Sequence, residues 1–99
     1  MPSKSIKRIR ERRLKKVNFV IPAWNEEANI GKIVSGVLEM FPESRVIVVD
    51  DGSEDNTGEI ARECGAKVLR HALNLGQWSA LRTGFIAALW NSPEIIVTL

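Results

Sequence analysis

Two rhythms of apolar residues alternate along this chain. Val46-Ile47-Val48-Val49 is an unbroken run of β-formers, the pattern of a strand buried on both faces. Val17 to Ile21 and Ile95 to Leu99 read the same way, and Lys67 to Arg70 is a shorter version. Between them, apolar residues recur at helical spacing. Ile30, Ile33, Val34, Val37, Leu38 and Phe41 form one stripe, ended by Pro42. Ala80, Leu81, Gly84, Phe85, Ala88 and Leu89 form another, over a helix expected from Gln77 to about Trp90. Asn56-Thr57-Gly58-Glu59 has capping-box spacing for a middle helix, and Gly65 is placed to end it.

The predicted order is β-α-β-α-β-α-β. Strands alternating with helices imply a three-layer α/β fold with a parallel sheet and right-handed crossovers. Pro22 cannot continue a central ladder, so the first strand is expected to end at Ile21. Asn25 is then the expected N-cap of the first helix, with Glu26 and Glu27 at its positive end. The loops at 22–26, 50–55 and 72–77 should gather at the carboxyl edge of the sheet, where open α/β sheets bind ligands.

Charge changes this picture at one end only. Residues 1–16 carry eight Lys/Arg and one Glu, whereas the rest is mildly acidic, so the net charge of +2 conceals a basic head on an acidic domain. A basic pI therefore does not point to nucleic acid. The head is either a solvated tail or an attachment to an anionic membrane surface, at about 1 kcal/mol per basic residue. The single Cys64 excludes an internal disulfide, and no apolar run approaches a membrane span or a secretory signal. These features fit a cytoplasmic protein, with peripheral binding at the inner membrane face as the alternative.

Several chemistries are missing. No G-x-G-x-x-G follows the first strand, and no G-x-x-x-x-G-K-[ST] occurs. The acidic loop lacks EF-hand spacing, and one His71 without a G-x-S-x-G turn does not make a hydrolase triad. What remains is a set of recognition groups. Trp24 offers a flat face on which a base can stack, or a ring that packs beside the sheet. Asp51 is acceptor-only when ionised and suits an imide or amide N–H. Asn74-Leu75-Gly76 lets backbone approach a ligand at a helix start, or simply makes a tight turn.

Five segments, taken in order, carry a resemblance: Val20 to Glu27, Val48 to Thr57, Asn74-Leu75-Gly76, Ala80 to Gly84, and Ile96 to Leu99. Together they resemble the nucleotide-binding half of a family 2 glycosyltransferase with the GT-A fold, nearest to the dolichyl- or polyprenyl-phosphate hexose synthases. The resemblance spans residues 17–99. It implies the Rossmann-like half of that fold, holding the nucleotide of a UDP- or GDP-sugar whose hexose goes to an acceptor such as a polyprenyl phosphate. The implied donor-binding residues are Pro22, Ala23, Trp24, Asn25, Glu26, Asp51, Gly52, Gly76 and Arg82. Trp24 stands where the family usually has a Tyr against the base, and Asp51 matches the Asp that pairs with the base N–H. Asp50, Ser53 and Asp55 are implied to be structural.

In such enzymes an Asp-x-Asp motif directly after the fourth strand binds Mg²⁺ or Mn²⁺. The chain is accordingly expected to be an N-terminal fragment that holds no metal and no catalytic residue of its own, and that is inactive alone. The alternative is a non-catalytic α/β assembly module that pairs through its last strand.

Overall fold

The computed structural model describes residues 16–99, so the basic head lies outside the described residues apart from Lys16. The order is β1 (Val17–Ala23), α1 (Ile30–Met40), β2 (Arg45–Asp50), α2 (Thr57–Glu63), β3 (Lys67–Arg70), α3 (Gln77–Ala88) and β4 (Ile95–Thr98). The strands make one parallel sheet in the order β3-β2-β1-β4. The predicted α/β sheet is the observed one.

Strand alternation sorts the core into two layers. Phe19, Ile21, Val46 and Val48 face α1 and α2, and pack on Ile30, Val34 and Ala61. Val20, Ile47 and Val49 face α3, and pack on Ala80 and Ala88. Gly84 is buried at the closest point of α3 to the sheet. A methyl group there would overlap Val20 Cγ1 and come within 3.2 Å of Val49 Cγ2. A side chain at 84 would push α3 off the sheet.

Several boundaries differ from expectation, each for a physical reason. β1 runs through Pro22 to Ala23, with Pro22 opposite Val49. The Val20 carbonyl accepts from Leu99 on the β4 side, and the Ala23 carbonyl accepts from Asp51 on the β2 side. By alternation, the donor that Pro22 lacks would face β4, where pairing stops at Val20↔Thr98. The ring therefore costs no ladder bond with β2.

Helix α1 begins at Ile30 rather than at Asn25. The Glu26 carbonyl instead accepts from the Asn29 and Ile30 N–H groups in a turn before the helix. Ile30 and Val34 are fully buried, whereas Ile33 and Phe41 are partly exposed, Phe41 lying with its ring centroid 5.2 Å from that of Phe19. α2 starts after Asn56 as expected, but the capping box does not form. The Thr57 N–H donates to Asp55 Oδ1 instead. Gly65, at φ +106°, ends α2 as predicted.

α3 ends at Ala88, two residues before the expected Trp90, and Phe85 and Leu89 turn outward. The buried Asn18 explains the stop. Its Nδ2 donates to the Ala88 carbonyl at 2.7 Å and to Asn91 Oδ1 at 2.7 Å, which satisfies the helix end from β1.

Candidate functional site

The site grows from the end of β2. Asp50 and Asp51 are adjacent, yet pleating sends them to different tasks. Asp50 is completely buried. Its Oδ1 accepts from the Ser53 N–H at 3.0 Å and closes the turn, while Oδ2 has no hydrogen bond and lies 3.7 Å from the Arg70 guanidinium. Arg70 also donates to the Ser53 carbonyl at 2.9 Å.

The same turn holds the loop after β1. The Asn25 N–H donates to Ser53 Oγ at 2.9 Å, and Asn25 Oδ1 accepts from the Glu54 N–H at 2.9 Å. The Glu26 N–H donates to Thr57 Oγ1 at 2.9 Å, and Thr57 Oγ1 in turn donates to Asp55 Oδ1 in a short bond. Glu27 and Asp55 extend the lacing, with Glu27 Oε2 accepting from the Asn56 N–H at 3.1 Å. Asn25 stands at φ 51°, a left-handed geometry that Asn tolerates better than most residues. The bond from Thr57, with further bonds from the Thr57 and Glu27 N–H groups, outweighs partial desolvation and holds Asp55 below the ordinary carboxyl value of 3.8.

Asp51 reaches the other way. Its Oδ1 accepts from the Leu75 N–H at 2.9 Å and lies 2.8 Å from His71 Nδ1. Its Oδ2 accepts from the Gly76 N–H at 2.8 Å. Burial works against the charge, but the bonds from Leu75, His71 and Gly76 outweigh it, and the carboxyl sits below 3.8. Asp51 is therefore an anion at neutral pH, and it pins the segment that opens α3. Gly52 makes this approach possible. It sits at φ +73°, and a Cβ there would lie 2.5 Å from the Leu73 carbonyl carbon and 2.6 Å from the Asn74 nitrogen.

Between the two laced loops lies a cleft of about 360 Å³, lined by Pro22, Ala23, Trp24, Glu26, Asp51, Asn74, Gly76, Gln77 and Ala80. It opens beside β1, whose neighbours β2 and β4 lead the chain in opposite directions. This is the switch point at which such sheets take ligands. Trp24 is 52% exposed, so its ring is available rather than consumed by the core. Of the nine residues singled out from the sequence, Pro22, Ala23, Trp24, Glu26, Asp51 and Gly76 line the cleft. Asn25 and Gly52 stand behind the wall and shape it. Arg82 is exposed on α3 away from the lining, and Trp78 points into solvent at 83% exposure.

Sequence reasoning left His71 in a loop with no role. It is the centre of a relay, its Nε2 lying 2.8 Å from Thr83 Oγ1. No motif marks it, because its partners are 20 and 12 positions away. Among the described residues, no cluster of three or more His, Cys, Asp or Glu side chains is arranged to hold a metal ion. The cleft's own carboxylates, Asp51 and Glu26, do not make such a set. No helix among the described residues is long and apolar enough to cross a membrane.

A parallel α/β sheet with a carboxylate- and Trp-lined cleft at its switch point places the chain in the α/β class of fold that takes ligands at the carboxyl edge of its strands. The profile of glycosyl transferase family 2 matches residues 18–98, and the chain belongs to that family. An uncharacterized protein of Methanocaldococcus jannaschii is 47% identical over 79 residues, which is 80% of this chain and 32% of that protein. The undecaprenyl-phosphate 4-deoxy-4-formamido-L-arabinose transferase of Aeromonas hydrophila is 33% identical over 96 residues, 87% of this chain and 28% of the enzyme. Among solved structures, glucosyl-3-phosphoglycerate synthase from Mycobacterium tuberculosis, in complex with Mn²⁺, UDP and glucosyl-3-phosphoglycerate, superposes with a TM-score of 0.74 at 27% identity. That match covers 100% of this chain and 38% of the synthase. The chain thus spans about a third of the length of these relatives.

Proposed function

We propose that residues 17–99 form the donor-nucleotide half of a glycosyltransferase that moves a hexose from a UDP- or GDP-sugar to a phosphorylated acceptor of the polyprenyl-phosphate kind. The observation that carries this reading is the pairing of an ionised, buried Asp51 with a half-exposed Trp24 in one cleft. An indole face takes a base by stacking, and a carboxylate accepts from the base's ring N–H. The α3 start at Gly76 brings backbone N–H groups and a positive helix end to the side where a diphosphate would extend. The related synthase structure contains UDP and Mn²⁺, and the related transferase is named for undecaprenyl phosphate. The described residues do not fit a divalent ion. The related synthase structures contain Mn²⁺ or Mg²⁺, and on this reading the whole enzyme uses such an ion beside the donor diphosphate.

The test is a titration of the chain with UDP and GDP, followed by amide NMR shifts, for the native protein and Trp24→Ala. Stacking on an aromatic is worth about 1–3 kcal/mol per base, so the variant should bind roughly 5- to 150-fold more weakly while keeping its fold. Shifts centred on Trp24, Asp51 and Gly76 are expected. A folded chain with no shift at millimolar nucleotide would overturn the reading.

One observation favours the assembly alternative. Ile86, Leu89, Trp90 and Ile95 are all more than half exposed around the α3–β4 connection. Sedimentation at several concentrations tests it, and a concentration-independent monomer removes it.

A further inference from the structure

The acceptor capacity of Asp51 can be counted. A carboxylate offers about four lone-pair sites. Oδ1 takes the Leu75 N–H at 2.9 Å and faces His71 Nδ1 at 2.8 Å, so it is full when Nδ1 carries a proton. The ionised state of Asp51 requires that proton, because two acceptors at 2.8 Å would repel. Thr83 permits it in either charge state of the ring. Its hydroxyl donates to a neutral Nε2 and accepts from a protonated one, at the same 2.8 Å. Oδ2 takes the Gly76 N–H at 2.8 Å. One lone pair remains, on Oδ2, in a residue that lines the cleft.

We propose that His71 is a positioning residue that sets base specificity. By filling Oδ1, it leaves Asp51 a single acceptor, matched to a base whose recognition edge carries one N–H. This rests on the donor-site reading above and deepens it. The imide edge of uracil presents one ring N–H between two carbonyls. The corresponding edge of guanine presents a ring N–H and an adjacent amino group, two donors side by side. On Asp51 as His71 holds it, the second guanine donor meets no acceptor. An unpaired donor in a buried contact is penalised, so the uracil nucleotide is preferred by roughly tenfold or more. Thr83 acts one step further back, its Oγ1 2.8 Å from Nε2 holding the imidazole against Asp51.

The experiment measures dissociation constants of UDP and GDP, on the full chain, for the native protein, His71→Ala, His71→Asn and Thr83→Val. Amide NMR spectra report the fold of each. Asn places an amide nitrogen close to where Nδ1 stands, so it can restore the donor to Oδ1. The native protein should prefer UDP. His71→Ala frees a lone pair on Oδ1, and the UDP/GDP preference should shrink several-fold. His71→Asn should recover most of it, and Thr83→Val should lose part of it. If His71→Ala weakens both nucleotides equally, His71 only braces the loop and the proposal is wrong. Equal native affinity for both nucleotides has the same meaning. If His71→Ala does not fold, Thr83→Val decides, and an unchanged preference there overturns the proposal. A folded native chain that binds neither nucleotide refutes the donor-site reading itself, and this inference with it.

Discussion

Gly52→Ala tests whether the cleft is built on one backbone contact. At φ +73°, an L-residue costs about 1–2 kcal/mol relative to glycine. The new Cβ would also lie 2.5 Å from the Leu73 carbonyl carbon and 2.6 Å from the Asn74 nitrogen. Both obstacles are backbone, so neither can rotate away as a side-chain tip could. Overpacking of this kind adds about 1–3 kcal/mol, and the sum is roughly 2–5 kcal/mol. Small domains sit near the lower end of a total stability of about 5–15 kcal/mol, so the variant loses a large share. The strain falls on the segment that Asp51 holds through Leu75 and Gly76, and those bonds should lengthen. Urea unfolding followed by circular dichroism measures the loss. With a slope of about 1 kcal/mol/M, the midpoint should fall by roughly 2 M or more. Amide exchange at Leu75 and Gly76 should rise in the same variant. A midpoint shift below about 0.5 M, with unchanged protection at those amides, would show that the 71–76 segment moves freely and does not depend on Gly52.

The same substitution should have the opposite sign at Gly36, which lies within α1 with nothing inside 4 Å of the added Cβ. Gly36→Ala should raise stability by about 0.4–1 kcal/mol in the same urea assay. Gly84→Ala should destabilise by about 1–2 kcal/mol, overlap with Val20 exceeding the gain in helix propensity; methyl shifts of Val20 and Val49 are the readout. Acid should unfold the domain only below the ordinary carboxyl range. Asp51 and Asp55 have folded values below 3.8, so their contribution is complete above that pH and is lost as pH falls through the folded values. Asp51→Asn should lower stability at pH 7 by about 1–3 kcal/mol and flatten the acid limb of a pH-stability curve.

Much of this protein was determined locally. The run Val46 to Val49 is buried on both faces wherever it pairs, so it specified a parallel strand, and the residues after it had to form a loop at the carboxyl edge. The alternation of runs and helical stripes then implied the layers and brought three loops to one edge. Asp50 and Asp55 could be read as structural because their partners, Ser53 and Thr57, lie within three residues. Trp24 and Asp51 stood out because they sit just after strands.

Tertiary structure decided what depends on pairs distant in sequence. Asn25 was read as a cap, yet its donors and acceptors go to Ser53 and Glu54, and this delays α1 until Ile30. Pro22 was read as a stop, but strand order placed its missing donor on the side where the ladder ends. Asn18, the polar residue within the apolar first strand, ends α3 through the Ala88 carbonyl, a partner 70 positions away. The relay from Asp51 through His71 to Thr83 could not be read from the sequence at all. Spacing of 20 and 12 residues carries no local periodicity, and only the folding of β3 beside β2, with α3 across them, brings His71 within 2.8 Å of both Asp51 and Thr83. Local chemistry determined which residues could offer a ring face or an ionised acceptor. The sheet decided which ring stayed exposed and which lone pairs were already taken.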